Sequence, residues 1–223
     1  MRIRMHKLLI YFLFCSIIVP FLYADNTSLI LSTDRHTNPD IIILMTENGL
    51  EPALEIALAL GRRSDPYLGD IIEYFLKHYH SRRRYESERI LFTMLNSLFP
   101  EDISEPAFQK RFEANRTPLL DLIADTEYYE TPELRAICYR LIGWSREPSF
   151  HSLLTRSGAR FIQRLKETGG LLSTTETEEL VVFLTTLEKL SLPEFNPLVT
   201  DIARYSQDRL IVMRVRDLLN TNP

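Results

Sequence analysis

The chain is 223 residues long and carries 26 Lys and Arg against 30 Asp and Glu, a net charge of −4 at pH 7 with His neutral. The acidic surplus excludes a general nucleic-acid binder, which needs a basic footprint to displace counterions from phosphates. The length lies within the range of one domain and is enough to bury a sizeable core without metal or disulfide staples.

Residues 1–24 read as a secretory signal peptide. Arg2, Arg4 and Lys7 form a basic start, Leu8 to Val19 is an apolar run broken by Pro20, and Leu22-Tyr23-Ala24 sets an aliphatic and a small residue where a signal peptidase needs them. Cleavage is therefore expected after Ala24, with the mature chain exported to the periplasm or outside the cell. Two alternatives stay open: an uncleaved membrane anchor over residues 8–22, and lipid attachment at Cys15. Against them, the run falls short of the roughly 20 residues that span a bilayer, and Phe14 is bulky where a lipoprotein signal would carry a small residue. Cleavage removes three basic residues and no acidic one, leaving 23 Lys and Arg against 30 Asp and Glu and a net charge of −7. Cys138 is then the one cysteine, so no internal disulfide can form.

Residues 25–37 are polar and weakly patterned, an N-terminal arm ahead of a helical domain over residues 38–223. Asn38-Pro39 pairs a cap with a proline and opens a short helix ending at Gly49; Glu51-Pro52 opens another, stopped at Gly61. Asp65-Pro66 starts a longer helix in which Leu68, Ile71, Ile72, Phe75, Leu76 and Tyr79 recur at helical spacing. A helix is expected over about 85–99 before Pro100, a short one from Ser104 with Phe108 and Phe112 one turn apart, and another from Thr117-Pro118.

Thr131 to Gly143 has the clearest local grammar. Thr131 is placed to cap, Pro132 suits the first turn, and Glu133 meets the positive end of the dipole. Leu134, Ile137, Cys138, Leu141 and Ile142 make one apolar stripe, and Gly143 is placed to end the helix in a left-handed conformation. A helix follows over Pro148–Thr168, with a bend possible at Gly158 and a stop at Gly169-Gly170. Ser173 and Glu176 have capping-box spacing ahead of a helix reaching Leu190. Pro193 begins the next, and Asp208 caps the last. Val181-Val182-Phe183 is the nearest thing to a strand, yet it sits inside a helical period with Leu180, Leu184 and Leu187. The fold class is all-α.

The helices come in pairs that resemble one another: Ser64 to Ile72 can be laid on Ser191 to Val199 without a gap. Pro66, Pro118, Pro148 and Pro193 stand 52, 30 and 45 residues apart, scattered around the roughly 40–47 residues of HEAT and armadillo units. The Pro-Glu-Leu-Arg start and Leu-x-Gly close of residues 132–143 resemble the second helix of a HEAT repeat. The resemblance covers about residues 65–220 and is sharpest at 117–143 and 191–220. It implies an α-solenoid of stacked antiparallel helix pairs, in which each pair buries its second apolar face on the next. A tetratricopeptide array is the competing reading, but its fixed period of about 34 is missing.

No catalytic constellation converges in the sequence, so no enzyme, cofactor or metal is expected. His78 and His80 lie near Asp70 and Glu73, but positions two apart on a helix point about 200° from each other. Cys138 on its apolar stripe reads as core, with no activating histidine nearby. Glu176, Glu178 and Glu179 sit in the first turns of a helix, where acids suit the dipole. Tyr128, Tyr129, Trp144 and Phe150 offer either ridge packing or an aromatic docking edge. Arg62, Arg63 and the run Lys77 to Arg84 make a basic turn, readable as an ordinary charged turn or as a site for an acidic surface.

The expected function is an exported, non-enzymatic protein–protein interaction scaffold of the bacterial cell envelope; the alternative is a structural or assembly subunit of a larger envelope complex. A protein partner in the envelope is expected, rather than nucleic acid or a small-molecule ligand, with membrane contact only if the signal segment stays uncleaved. The resemblance implies that second helices line a concave binding side, here residues 85–99, 133–143, 175–190 and 208–220. At 100° per residue, Ala136, Tyr139 and Arg140 fall opposite the buried stripe, as do Glu178, Val182, Thr185 and Lys189, and Met213 and Asp217. The partner-binding residues are thus expected to be Tyr139, Arg140, Val182, Thr185, Lys189 and Met213. The alternative site is the basic turn Arg82, Arg83 and Arg84.

Overall fold

A computed structural model describes residues 37–61, 68–78 and 84–221. Among them are eleven α-helices and no strand: α1 (Asn38–Glu47), α2 (Leu50–Gly61), α3 (Gly69–His78), α4 (Arg84–Leu98), α5 (Glu105–Ala114), α6 (Arg116–Ala124), α7 (Pro132–Ser145), α8 (His151–Glu167), α9 (Thr174–Leu190), α10 (Asn196–Tyr205) and α11 (Arg209–Thr221). The protein is all-α. The signal segment, Arg62, Arg63, the Asp65-Pro66 helix start, Tyr79, His80, Arg82 and Arg83 lie outside the described residues.

The helices pack in two rows. In one row α2, α4, α7, α9 and α11 each lie against the next; in the other α1 lies on α3 and α3 on α6, while α8 lies on α10. Rungs of α1 on α2, α3 on α4, α6 on α7 and α10 on α11 join the rows, and α5 packs on α6 and α7. Hydrogen bonds between successive helices of the first row recur at similar sequence separations. Ser97 donates to the Leu58 carbonyl across 39 residues, Arg140 to Asn96 across 44, Arg135 to Glu179 across 44 and Thr186 to the Tyr139 carbonyl across 47. The last step is shorter, with Arg214 reaching Thr185 across 29.

The apolar stripes explain the layering. Leu68, Ile71, Ile72, Phe75 and Leu76 are all buried, as the period of the sequence requires, and so are Leu134, Ile137, Cys138, Leu141 and Ile142. Val181 to Phe183 is helical, inside α9. Ser173 and Glu176 form the expected capping box, the Glu176 N–H donating to Ser173 Oγ at 3.3 Å and the Ser173 N–H to the Glu176 carboxylate at 3.0 Å. Asp208 caps α11 by accepting the Leu210 N–H at 2.8 Å.

Two local expectations are corrected, and Gly158 gains a contact that the sequence does not show. Thr131 does not cap α7 with its hydroxyl; the hydroxyl instead donates to the Glu88 carboxylate at 2.8 Å. Gly143 does not end α7, which runs on to Ser145 and closes at Arg146 with φ 54°. Gly143 faces α9, where an added Cβ would lie 3.3 Å from Thr186 Cγ2, so it sets a close helix approach. At Gly158, α8 continues unbroken, and an added Cβ would lie 2.3 Å from Leu198 of α10.

Candidate functional site

Along the first row, α4, α7, α9 and the start of α11 leave a groove of about 550 Å³ between them. Helix α7 presents Glu133, Ala136, Ile137 and Arg140 to it, the i, i+3, i+4 and i+7 positions of one face. Phe92 and Asn96 of α4 lie one turn apart on the opposite wall, and Glu178 and Val182 of α9 on the third side. Leu210 closes the end and is 70% exposed. The floor is thus apolar and the rim polar, with Glu101 standing beside Arg140.

Two buried carboxylates hold these walls in register. Glu88 of α4 is fully buried and accepts the N–H groups of Glu130 and Thr131 and the Thr131 hydroxyl, at 2.8–3.1 Å, at the N-terminus of α7. Arg84 pairs with it at 3.1 Å. Burial pushes the Glu88 carboxyl up, but these donors outweigh burial and its pKa lies below the ordinary glutamate value. A carboxylate from 43 residues earlier thus anchors Glu130 and Thr131, the two residues that lead into α7, and its charge lies at the positive end of the helix dipole.

Glu179 of α9 is the second. Arg135 of α7 grips it with two parallel bonds, Nε to Oε1 and Nη2 to Oε2, both 2.7 Å, and Arg160 of α8 also donates to it. The remaining Arg135 nitrogen donates to the Tyr129 and Glu130 carbonyls at 2.6 and 3.0 Å. Burial works against the Arg135 cation, and Glu179 more than offsets it, so its pKa is raised. The three acids near the start of α9 thus separate, with Glu176 in the first turn and Glu178 and Glu179 in the second. Glu176 caps, with burial opposed by Ser173 and Arg164 and its pKa down to about 2; Glu178 faces the groove and Glu179 is buried.

The expected docking residues separate as well. Tyr139, placed opposite the buried stripe, is in fact 0% exposed. Its ring stands edge-on to Phe183 at 5.3 Å and tilted to Phe161 at 6.4 Å, and Arg160 donates to its hydroxyl at 3.1 Å. Burial raises that hydroxyl to about 12. The reason is that α7 is flanked on two sides, by α4 and α9 as well as by its own pair, so only the Glu133–Ala136–Arg140 face is left open. Arg140 and Val182 do line the groove. Arg140 donates to the Phe99 carbonyl at 2.6 Å and Asn96 at 3.2 Å, and its Nε is buried without an acceptor. Burial lowers its pKa, against Glu101.

Thr185, Lys189 and Met213 are not among the groove's lining residues. Thr185 is exposed and accepts from Arg214 at 3.2 Å. The Lys189 ammonium lies over the ring of Trp144; burial and then Arg146 bring its pKa down to about 8, with Glu105 opposing. Met213 is 50% exposed on α11. Of the alternative basic turn, Arg84 is engaged by Glu88, by Glu130 at 3.2 Å and by the Tyr128 carbonyl.

The aromatic cluster does not form one edge: Tyr128 is exposed, Tyr129 and Phe150 are buried, and Trp144 stacks on Phe108. Cys138 is buried, and burial pushes its thiol up to about 12. Sequence reading missed Phe92, Asn96, Glu101 and Leu210 as groove residues. Phe92 and Asn96 could have been found from their i, i+4 spacing on α4; Leu210 could not, because it reaches the groove from a different unit. Glu88 and Glu179 carry no sequence signal that separates them from solvated acids. Compared with known proteins, the chain matches no family model, no curated protein and no solved structure.

Proposed function

We propose that this chain is an exported, non-enzymatic protein-binding scaffold of the cell envelope, built as an α-solenoid of HEAT-like helix pairs. The observation that carries the reading is the groove, with its apolar floor of Phe92, Ala136, Ile137 and Val182 and its rim of Glu101, Glu133, Glu178 and Arg140. An apolar centre ringed by polar side chains is the anatomy of a protein interface. The bonds between successive row helices from α2 to α9 support the repeat reading, since their separations of 39 to 47 residues lie close to the roughly 40–47 residues of HEAT units; the step to α11, at 29, is a shorter terminal one. Export rests on the signal-like residues 1–24; among the described residues no helix is long and apolar enough to cross a membrane.

The test compares capture of envelope proteins by the wild-type chain and by a Val182→Glu variant of unchanged helicity. Val182 is half-buried in the groove wall and packs on the edge of the core, so the variant's melting temperature is checked alongside its helicity. Loss of capture supports docking in the groove, and equal capture by both chains overturns it. A second reading, a structural part of a larger assembly, is favoured by the apolar side chains uncovered at the two ends of the rows. Ile43 and Leu58 lie at one end, Leu210 and Met213 at the other. A stoichiometric complex that survives Val182→Glu and dissociates on Met213→Glu would select it.

A further inference from the structure

We infer that the groove takes a cationic amphipathic segment of a protein partner, its apolar side seated on Phe92, Ala136, Val182 and Leu210 and its Lys or Arg side chains against Glu133 and Glu178. The inference rests on the scaffold reading and deepens it by naming the chemistry of the occupant.

Charge carries the argument. Four carboxylates and one cation line the groove: Glu101, Glu133, Glu178 and Glu179 against Arg140. Glu179 is taken up by Arg135 and Arg160 beneath the floor. The ion pairs around the two buried carboxylates balance, with Arg84, Arg135 and Arg160 set against the buried Glu88 and Glu179 and the exposed Glu130. Glu101 stands 3.9 Å from Arg140 Nη1, while Arg140 Nη2 donates to Phe99 and Asn96. Glu133 and Glu178 remain, both exposed on facing walls and with no ion pair among the described residues. An acidic segment would set like charge against both, while a neutral apolar one would leave the floor filled and the two carboxylates unmatched. A segment with one apolar side and basic residues flanking it satisfies floor and rim together, in the manner of a helix laid in a groove.

The probes are fluorescein-labelled amphipathic Leu/Lys, Leu/Gln and Leu/Glu helical peptides, titrated with the purified chain and followed by anisotropy. The Leu/Lys peptide should bind best and weaken with salt. A Glu133→Gln, Glu178→Gln double variant should bind it about fivefold to tenfold more weakly. A control pair on the far helices, Glu47→Gln with Glu55→Gln, should leave binding unchanged. Equal weakening in both pairs would reduce the effect to overall charge and overturn the inference, as would tighter binding of the Leu/Glu peptide. If the Leu/Gln or Leu/Glu peptide binds best and Val182→Glu abolishes it, the docking groove stands and the cationic occupant falls. If no peptide binds and Val182→Glu leaves envelope capture intact, both fall.

Discussion

Lys189 shows how a residue on the surface of a helix acquires an environment from its neighbours. Its ammonium rests on the face of Trp144, the one tryptophan of the chain, an attraction between cation and ring that favours the charged form. Burial and Arg146 work the other way and set its pKa at about 8. Trp144 emission should therefore show a step centred near pH 8, absent in Lys189→Gln; a flat titration of the wild type would refute the coupling. The sign for stability follows from linkage. With the folded pKa below the ordinary value of 10.5, the unfolded chain binds more protons between about 8 and 10.5. The penalty of the buried charge is present below pH 8 and fades as the pH rises through that window.

Among the elements, α7 is held by contacts that begin far away in sequence. Glu88 anchors the two residues that lead into it, across 42 and 43 residues, and the carboxylate is charged in the fold because its donors outweigh burial. Its folded pKa is lowered, so its contribution is complete above the unfolded value of about 4.3 and is lost as the pH falls below it. Glu88→Ala should cost about 3 kcal/mol at neutral pH, because the Glu130 and Thr131 N–H groups lose their acceptor. Chemical denaturation across pH 3 to 7 should also show a shallower acid loss in Glu88→Gln than in wild type. The approach of α2 to α4 is set by Gly61, where an added Cβ would fall 2.4 Å from Ser97 Cβ and 2.6 Å from the Leu98 backbone nitrogen. Gly61→Ala should destabilise by about 2–3 kcal/mol by forcing the helices apart. Gly158→Ala should cost less, since it meets the movable end of Leu198. Melting temperatures that rank the two the other way would show that α8 and α10 are the less adaptable pair.

For the whole molecule, packing along rows means that interior helices have neighbours on more sides than terminal ones. Helix α7 touches α4, α5, α6 and α9, whereas α1 touches α2 and α3, and α11 touches α9 and α10. Hydrogen exchange followed by mass spectrometry should find the slowest amides in residues 84–98 and 132–145 and the fastest in 38–47 and 209–221. Uniform protection across all helices would instead indicate one all-or-none unit.

What the sequence determined by itself was local. Helical period, prolines near starts, the Ser173–Glu176 box and the Asp208 cap placed most helices within a few residues and established the all-α class, because each of these depends on side chains a turn or two apart. The open face of α7 was legible in part: Ala136 and Arg140 follow from the period. Tyr139 was misplaced because a single-helix wheel assumes one buried side, and α7 has three neighbours besides its own pair. Gly143 and Gly158 read as a stop and a bend from backbone preference alone, yet both are contact points for helices from other units. Glu88, Glu179 and Leu210 took their roles only from the tertiary structure. Their partners lie tens of residues away, and a buried, paired carboxylate looks the same in sequence as a solvated one.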